Sequence, residues 1–364
     1  MGTCLNCNSE SSTISEPLGV CLSCIREHFG EVHPHILEVH RESREAFNLP
    51  TQPPRKEGHR SCDLCVNRCQ IEEGNVGYCG VRREKGGDII GGGPEEGTLD
   101  WYYDSLPTNC VADWVCPGGS GSGHPDFSYS SGPEYGYKNL AVFYKACTFN
   151  CLFCQNWHYR QMSPKDQSMT AQELADKANP HTFCVCYFGG DPAAQMLHAL
   201  STSKILAKRG VRVCWETNGS MQPRLLERAV DLALETGGCI KFDLKAYDDS
   251  LHTALTGVTN KRTLENLARA AARIPLRHEP PLVIASTLLV PGYVDAQEVG
   301  QLAGFIASLD RNIPYSLLGF HPHFFVPDLP RTSVRHAEEC ERVAREAGLV
   351  NVHIGNRHLL SKDY

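Results

Sequence analysis

Cys147-Thr148-Phe149-Asn150-Cys151-Leu152-Phe153-Cys154-Gln155-Asn156 decides how the rest of the chain is read. It follows an apolar, strand-like run from Leu140 to Tyr144 and spaces three cysteines as C-x3-C-x2-C. Iron–sulfur clusters are held by cysteine thiolates, so three on one tight loop can hold three irons of a [4Fe–4S] cluster. The fourth iron then has no protein ligand, and an open metal position is where a substrate or cofactor binds. Phe149, Leu152 and Phe153 would wall such a cluster from water, and burial is one lever on reduction potential.

Working outward, the chain after residue 140 alternates two periodicities. Strand-like runs cover 141–145, 183–188, 211–216, 240–244, 282–290, 313–320 and 350–354. Helical patterns lie near 171–178, 192–208, 222–236, 261–274, 295–309 and 332–347. Such alternation predicts parallel strands joined by right-handed crossovers. Seven strands fall short of a regular eightfold barrel. The expected fold class is therefore α/β, an open, partial (β/α) barrel with its chemistry at the carboxyl ends of the strands.

The strand ends carry motifs. The second ends in Tyr187-Phe188-Gly189-Gly190-Asp191-Pro192, where two glycines allow close backbone approach. The third ends in Trp215-Glu216-Thr217-Asn218-Gly219, and the fourth reads Lys241-Phe242-Asp243-Leu244-Lys245. Carboxylate and hydroxyl oxygens converging there suit a hard cation or a cofactor's polar groups. Lys245, oriented by Asp243, suits a carboxylate.

Together these motifs resemble the radical S-adenosylmethionine (SAM) superfamily, and within it the pyruvate formate-lyase activating enzymes, while Cys62, Cys65, Cys69 and Cys79 upstream resemble the N-terminal part of their relatives, the AmmeMemoRadiSam proteins. The resemblance runs over roughly residues 60–325. It implies a radical SAM type of partial barrel. It also implies a [4Fe–4S] cluster on Cys147, Cys151 and Cys154, whose open iron chelates SAM and cleaves it reductively to a 5′-deoxyadenosyl radical. Gly189, Gly190 and Asp191 stand where the family's Gly-Gly-Glu meets the cofactor's amino group, with Asp shorter than Glu. Glu216, Thr217 and Asp243 match a monovalent-cation site, Lys245 matches a carboxylate contact, and His321 matches a histidine near the cofactor. An arginine usual in the activating enzymes falls at Ser286. The resemblance further implies an electron donor such as flavodoxin or ferredoxin, and a substrate that is a small molecule, a peptide or a glycyl-radical enzyme.

Upstream the chain is cysteine-rich. Cys4-x2-Cys7 and Cys21-x2-Cys24 form two knuckles, the pattern of a structural zinc ribbon, with a single redox iron as the alternative. Residues 25–48 look helical. Pro34 interrupts the pattern, and His28, His33, His35 and His40 read as a solvated face. Leu49-Pro50-Thr51-Gln52-Pro53-Pro54 is a stiff linker. Cys62, Cys65, Cys69 and Cys79 form a second group whose irregular spacing fits zinc or a wrapped iron–sulfur cluster. Residues 86–138 are rich in Gly, Ser, Pro and Tyr, and Gly118–Gly123 reads as a mobile loop rather than a phosphate-cradling one. Cys110 and Cys116 there are either another metal pair or buried thiols. The expected organisation is a metal-binding module with linker over 1–54, a second cysteine segment over 55–138 and the barrel over 139–364.

Eighteen cysteines clustered as C-x-x-C pairs in a chain of 364 residues suggest metal binding in a reducing cytoplasm rather than a disulfide framework. A net charge of −7 argues against nucleic acid as the main partner, so an RNA-modifying or RNA-binding protein using the ribbon is the alternative class. A non-catalytic electron carrier is a third class, but it leaves the motifs at successive strand ends without a purpose. No apolar run is long enough for a membrane span.

Overall fold

The computed structural model describes residues 1–161, 168–362 and 364. Its centre is one open sheet. In chain order its strands are β1 (Gly97–Ser105), β2 (Lys138–Tyr144), β3 (Thr182–Phe188), β4 (Arg212–Thr217), β5 (Ile240–Asp243), β6 (Val283–Leu289), β7 (Tyr315–Gly319) and β8 (Val352–Gly355). Strands β2 to β8 pair in sequence order and all in parallel. β1 lies antiparallel on β2, with a short Ser168–Met169 strand beyond it. The order is linear from β8 to that strand, so the barrel does not close. The seven parallel strands are those the alternating pattern predicts. The antiparallel β1 lies outside that pattern, in the segment rich in Gly, Ser, Pro and Tyr.

Helices α3 (Ala171–Ala175), α4 (Met196–Ala207), α5 (Pro223–Thr236), α6 (Asp249–Thr256), α7 (Lys261–Ala271), α8 (Ala296–Leu309) and α9 (Val334–Glu346) form the crossovers. Alternate strand residues such as Val185, Tyr187, Val213, Trp215, Ile240 and Phe242 belong to the large core that includes these helices. The residues between them, Cys186, Cys214, Cys239 and Ile284, form a second core with Ala112 on the other face. The period-2 geometry of strands explains the split. The Thr108–Pro117 segment fills this concave face. Trp114 Nε1 donates to Ser316 Oγ on β7 at 3.0 Å, and Ser316 Oγ donates to the Val111 carbonyl at 2.7 Å.

The Gly118–Gly123 turn is tightly packed: a Cβ at Gly119 would meet the Asp113 carbonyl oxygen at 1.9 Å. N-terminally, α1 (Leu22–Glu27) and α2 (Phe29–Glu45) follow a Gly2–Thr3/Glu10–Ser11 hairpin. Pro34 lies inside α2 and does not break it. It sits in the second turn, so only the bond to the Gly30 carbonyl is lost, and glycine leaves room beside its ring. Nor is the histidine face uniformly solvated. His40 is 3% exposed and packs against the barrel, while His35 Nε2 lies 3.0 Å from the Leu18 carbonyl oxygen.

Candidate cofactor site at the carboxyl ends of the strands

A cavity of about 490 Å³ opens at the carboxyl ends of the parallel strands. Cys147, Cys151 and Cys154 line it from the loop after β2, Gly189–Asp191 from the end of β3, Glu216–Asn218 from β4, and Asp243 with Lys245 from β5. Its volume lies within the usual range of small-molecule sites. A larger hollow, about 620 Å³, lies at the other end of the sheet among Leu282, Ile313 and Asn351 and holds none of the motif residues.

Two glycines set the shape of the wall. Gly189 and Gly190 take φ of +66° and +52°. A Cβ at Gly190 would lie 2.1 Å from the Tyr144 carbonyl oxygen and 2.3 Å from that of Ala146. At Gly189 it would enter the Phe143 ring at 2.1 Å. The turn therefore presses against the end of β2, and the Asp191 N–H donates to the Ala146 carbonyl at 2.7 Å.

The Asp191 side chain turns inward. Its carboxylate accepts the Asn218 N–H at 2.6 Å, the Ala193 N–H at 2.7 Å and the Thr217 hydroxyl at 3.0 Å. Burial outweighs these bonds and raises its pKa to about 6. It latches β3 to β4. The Thr217 hydroxyl donates to that latch and accepts the Gly219 N–H at 3.1 Å. Glu216 pairs with Lys241 at 3.3 Å. Of the expected cation ligands, Asp243 alone has a buried oxygen, Oδ1, without a hydrogen-bond partner among the described residues. Its other oxygen pairs with Lys245, whose ammonium also lies 5.5 Å from the centroid of Phe153.

His321 is not brought to this cavity. It is exposed, with Nδ1 3.0 Å from the Pro322 carbonyl oxygen. His353, Asn356 and Arg357 from β8 and the turn after it line the mouth instead.

The cysteine loop is held by residues the sequence reading passed over. Asn150 Nδ2 donates to His40 Nδ1 at 2.8 Å and to Ser43 Oγ at 2.7 Å, both on α2. Arg160 donates to Asn150 Oδ1. Asn218 Nδ2 donates to Thr148 Oγ1 at 2.8 Å and lies 3.8 Å from Cys147 Sγ. Arg160 is 4% exposed, and its Nε and one terminal nitrogen have no partner among the described residues. A buried cation with spare donors beside three thiols suits an anionic metal–sulfur group, whereas the unpaired Asp243 oxygen suits a cation. Burial raises all three thiol pKa values, Cys151 to about 12, so metal loading must release protons.

The other cysteines fall into three sets. The four sulfurs of Cys4, Cys7, Cys21 and Cys24 lie within 4.8 Å of one another, close to single-ion spacing. Cys62, Cys65, Cys69 and Cys79 line one small closed cavity, together with Thr148, Ala193 and Ala194. Cys110 and Cys116 join Cys184, Cys186, Cys214 and Cys239 around Lys241, whose ammonium lies 3.1 Å from Cys110 Sγ and 2.9 Å from Cys186 Sγ. Sequence could not foresee this nest, because its members come from four separate segments.

The sequence signature of the radical SAM superfamily covers residues 141–305. An uncharacterised protein of Methanocaldococcus jannaschii is 25% identical over 81% of this chain and 80% of its own length. The pyruvate formate-lyase 1-activating enzyme of Escherichia coli K12 is 26% identical over 50% of this chain and 75% of that enzyme. The isethionate sulfite-lyase activating enzyme of Oleidesulfovibrio alaskensis is 32% identical over 36% and 40% of the two chains. The family implies a [4Fe–4S] cluster and SAM, and the donor set of the cavity fits both. Over residues 141–305 this chain is similar to the radical SAM superfamily.

Proposed function

We propose that this chain is a radical SAM enzyme acting through Cys147, Cys151 and Cys154. The observation that carries the reading is the convergence of these three thiols, the Gly189–Gly190 turn and the Asp243–Lys245 pair on one cavity. When bound, the cluster and SAM supply a 5′-deoxyadenosyl radical that abstracts hydrogen from a substrate. The chain's own residues bind, orient and shield. Carbonyls of the Gly189–Asp191 turn accept from the cofactor's ammonium group, and Lys245, steadied by Asp243, meets its carboxylate. Asp243 Oδ1 is the oxygen left over for a monovalent cation. Phe149 and Phe153 keep water from the thiols. Arg160 offsets negative charge.

The substrate enters past Asn109, Asp113, His353 and Arg357 at the mouth. By analogy with the named activating enzymes it is a glycyl-radical protein, and a small molecule or peptide is the other outcome. The electron donor is a flavodoxin- or ferredoxin-like protein. Anaerobic protein given dithionite and SAM should release 5′-deoxyadenosine, and Cys151→Ala should abolish release. An intact cluster with SAM bound and no such product sinks the reading. Deuterium transfer from labelled candidates into 5′-deoxyadenosine identifies the substrate.

A further inference from the structure

The four sulfurs of Cys4, Cys7, Cys21 and Cys24 define what a single-ion site looks like in this molecule. Four thiolates on one zinc, each about 2.3 Å from it, stand about 3.8 Å apart. All four lie within 4.8 Å, and Cys7 and Cys21 are 3.7 Å apart. Among the described residues no other group of three or more Cys, His, Asp or Glu ligand atoms is gathered so tightly. The loop of Cys147, Cys151 and Cys154 is therefore wider. A cluster requires that, because each sulfur binds a different iron.

Cys62, Cys65, Cys69 and Cys79 share the wider spacing but form a complete set of four around one enclosed cavity. Three are at most 9% exposed. The Tyr78 N–H donates to Cys69 Sγ at 3.3 Å, the kind of bond that tunes a cluster thiolate. Ile71, Ala193 and Ala194 supply apolar wall.

This pocket touches the candidate active centre. Thr148, the residue after Cys147, forms part of its lining, and Asn67 Nδ2 donates to the Thr148 carbonyl at 2.7 Å. On the same side the Val66 N–H donates to the Ser220 carbonyl at 2.9 Å, beyond the end of β4. One stretch of backbone thus walls both cysteine groups.

We propose that Cys62, Cys65, Cys69 and Cys79 hold a second [4Fe–4S] cluster, fully ligated by thiolate, that relays electrons to the Cys147 loop. The relay half rests on the proposed function; the cluster half does not. One electron enters from a low-potential one-electron donor protein and the same electron leaves toward the loop, with no proton or atom moving. With no open iron, this centre binds no SAM.

Metal analysis of the full chain purified anaerobically tests the first half. About eight irons, eight sulfides and one zinc per chain are expected from two [4Fe–4S] clusters and the ribbon. Cys69→Ser and Cys65→Ser should each lose about four irons and keep the zinc, while Cys7→Ser loses the zinc and keeps the iron. Two zincs with about four irons in the wild type overturn the proposal without any variant. If Cys151→Ala loses no iron while Cys69→Ser does, the active-site reading fails and the second cluster stands.

For the relay, reduction of the Cys147 centre is followed by electron paramagnetic resonance in Cys69→Ser. Reduction by flavodoxin should slow, and reduction by dithionite should not. Unchanged rates with both reductants, or equal slowing with both, overturn the relay.

Discussion

A methyl group at residue 190 has nowhere to go, because carbonyl oxygens of two neighbouring residues occupy its place. Gly190→Ala should therefore cost at least about 1–3 kcal/mol in the left-handed conformation alone. Pushing the turn off β2 should also abolish SAM binding, measured by equilibrium dialysis beside a denaturation curve. Tight SAM binding by this variant would mean the turn does not form the cofactor wall. His40 gives a second residue-scale test. Asn150 Nδ2 can only donate, so His40 Nδ1 accepts and Nε2–H donates to the Ala254 carbonyl. A proton on Nδ1 would set two donors against each other. Burial lowers the His40 pKa to about 4, and likewise that of His252. Both folded values lie below the unfolded value of about 6.5, so this stability is present above pH 6.5 and lost as pH falls toward 4. From pH 7.5 to 5.5 each histidine should cost about 1.4 kcal/mol of unfolding free energy. His40→Gln should remove that share from urea titrations at the two pH values. A slope unaltered in the variant would show that His40 is not held neutral.

At the scale of elements, what the sequence revealed and what it hid follow from where each signal comes from. The seven parallel strands were legible because apolar runs alternated with helical periodicity, and the tight turn after β3 because Gly189-Gly190 follows one such run at its carboxyl end. β1 was hidden: Asp100, Tyr102, Tyr103 and Ser105 are exposed and only Gly97 and Leu99 are buried, so no clean apolar alternation marks it. α6 was hidden behind motif residues, although Asp248 caps it and Gly257 ends it at φ +70°. The support of the cysteine loop by α2 was not legible at all, since Asn150 and His40 are 110 residues apart. The thiol nest is the same kind of case. Cys186 and Cys214 are cross-strand neighbours, as are Glu216 and Lys241, and strand pairing alone puts them together. Lys241 has three donors and three partners, Glu216, Cys110 and Cys186. Lys241→Met leaves the carboxylate without its cation and should cost about 3 kcal/mol. Adding Glu216→Gln should recover part of the loss; a single variant as stable as wild type would show the ammonium to be dispensable.

At the scale of the whole molecule, the N-terminal ribbon is bolted to the barrel rather than tethered by its linker. Tyr293 OH donates to the Val20 carbonyl at 3.0 Å, and Asp328 accepts the Glu16 N–H at 2.7 Å. The main link is Arg26. It forks onto Asp295 with two bonds of 3.0 Å and reaches Glu298 Oε2 at 2.9 Å. Glu298 is fully buried, and its other oxygen accepts the backbone N–H groups of Tyr247 and Asp248. Those residues lie two and three positions after Lys245, so one carboxylate joins the ribbon to the cavity wall. Arg26→Met strands that carboxylate without a cation, and removing one partner of a buried pair costs about 3–5 kcal/mol. The expected result is a lower urea midpoint, faster hydrogen exchange at Tyr247 and Asp248, and unchanged metal at Cys4, Cys7, Cys21 and Cys24. Arg26→Met with Glu298→Gln should restore most of the stability, because the buried charge is gone. Exchange at Tyr247 and Asp248 that stays as slow as in the wild type would mean the ribbon holds the barrel by surface contact alone, with no path from its helix to the wall of the cofactor cavity.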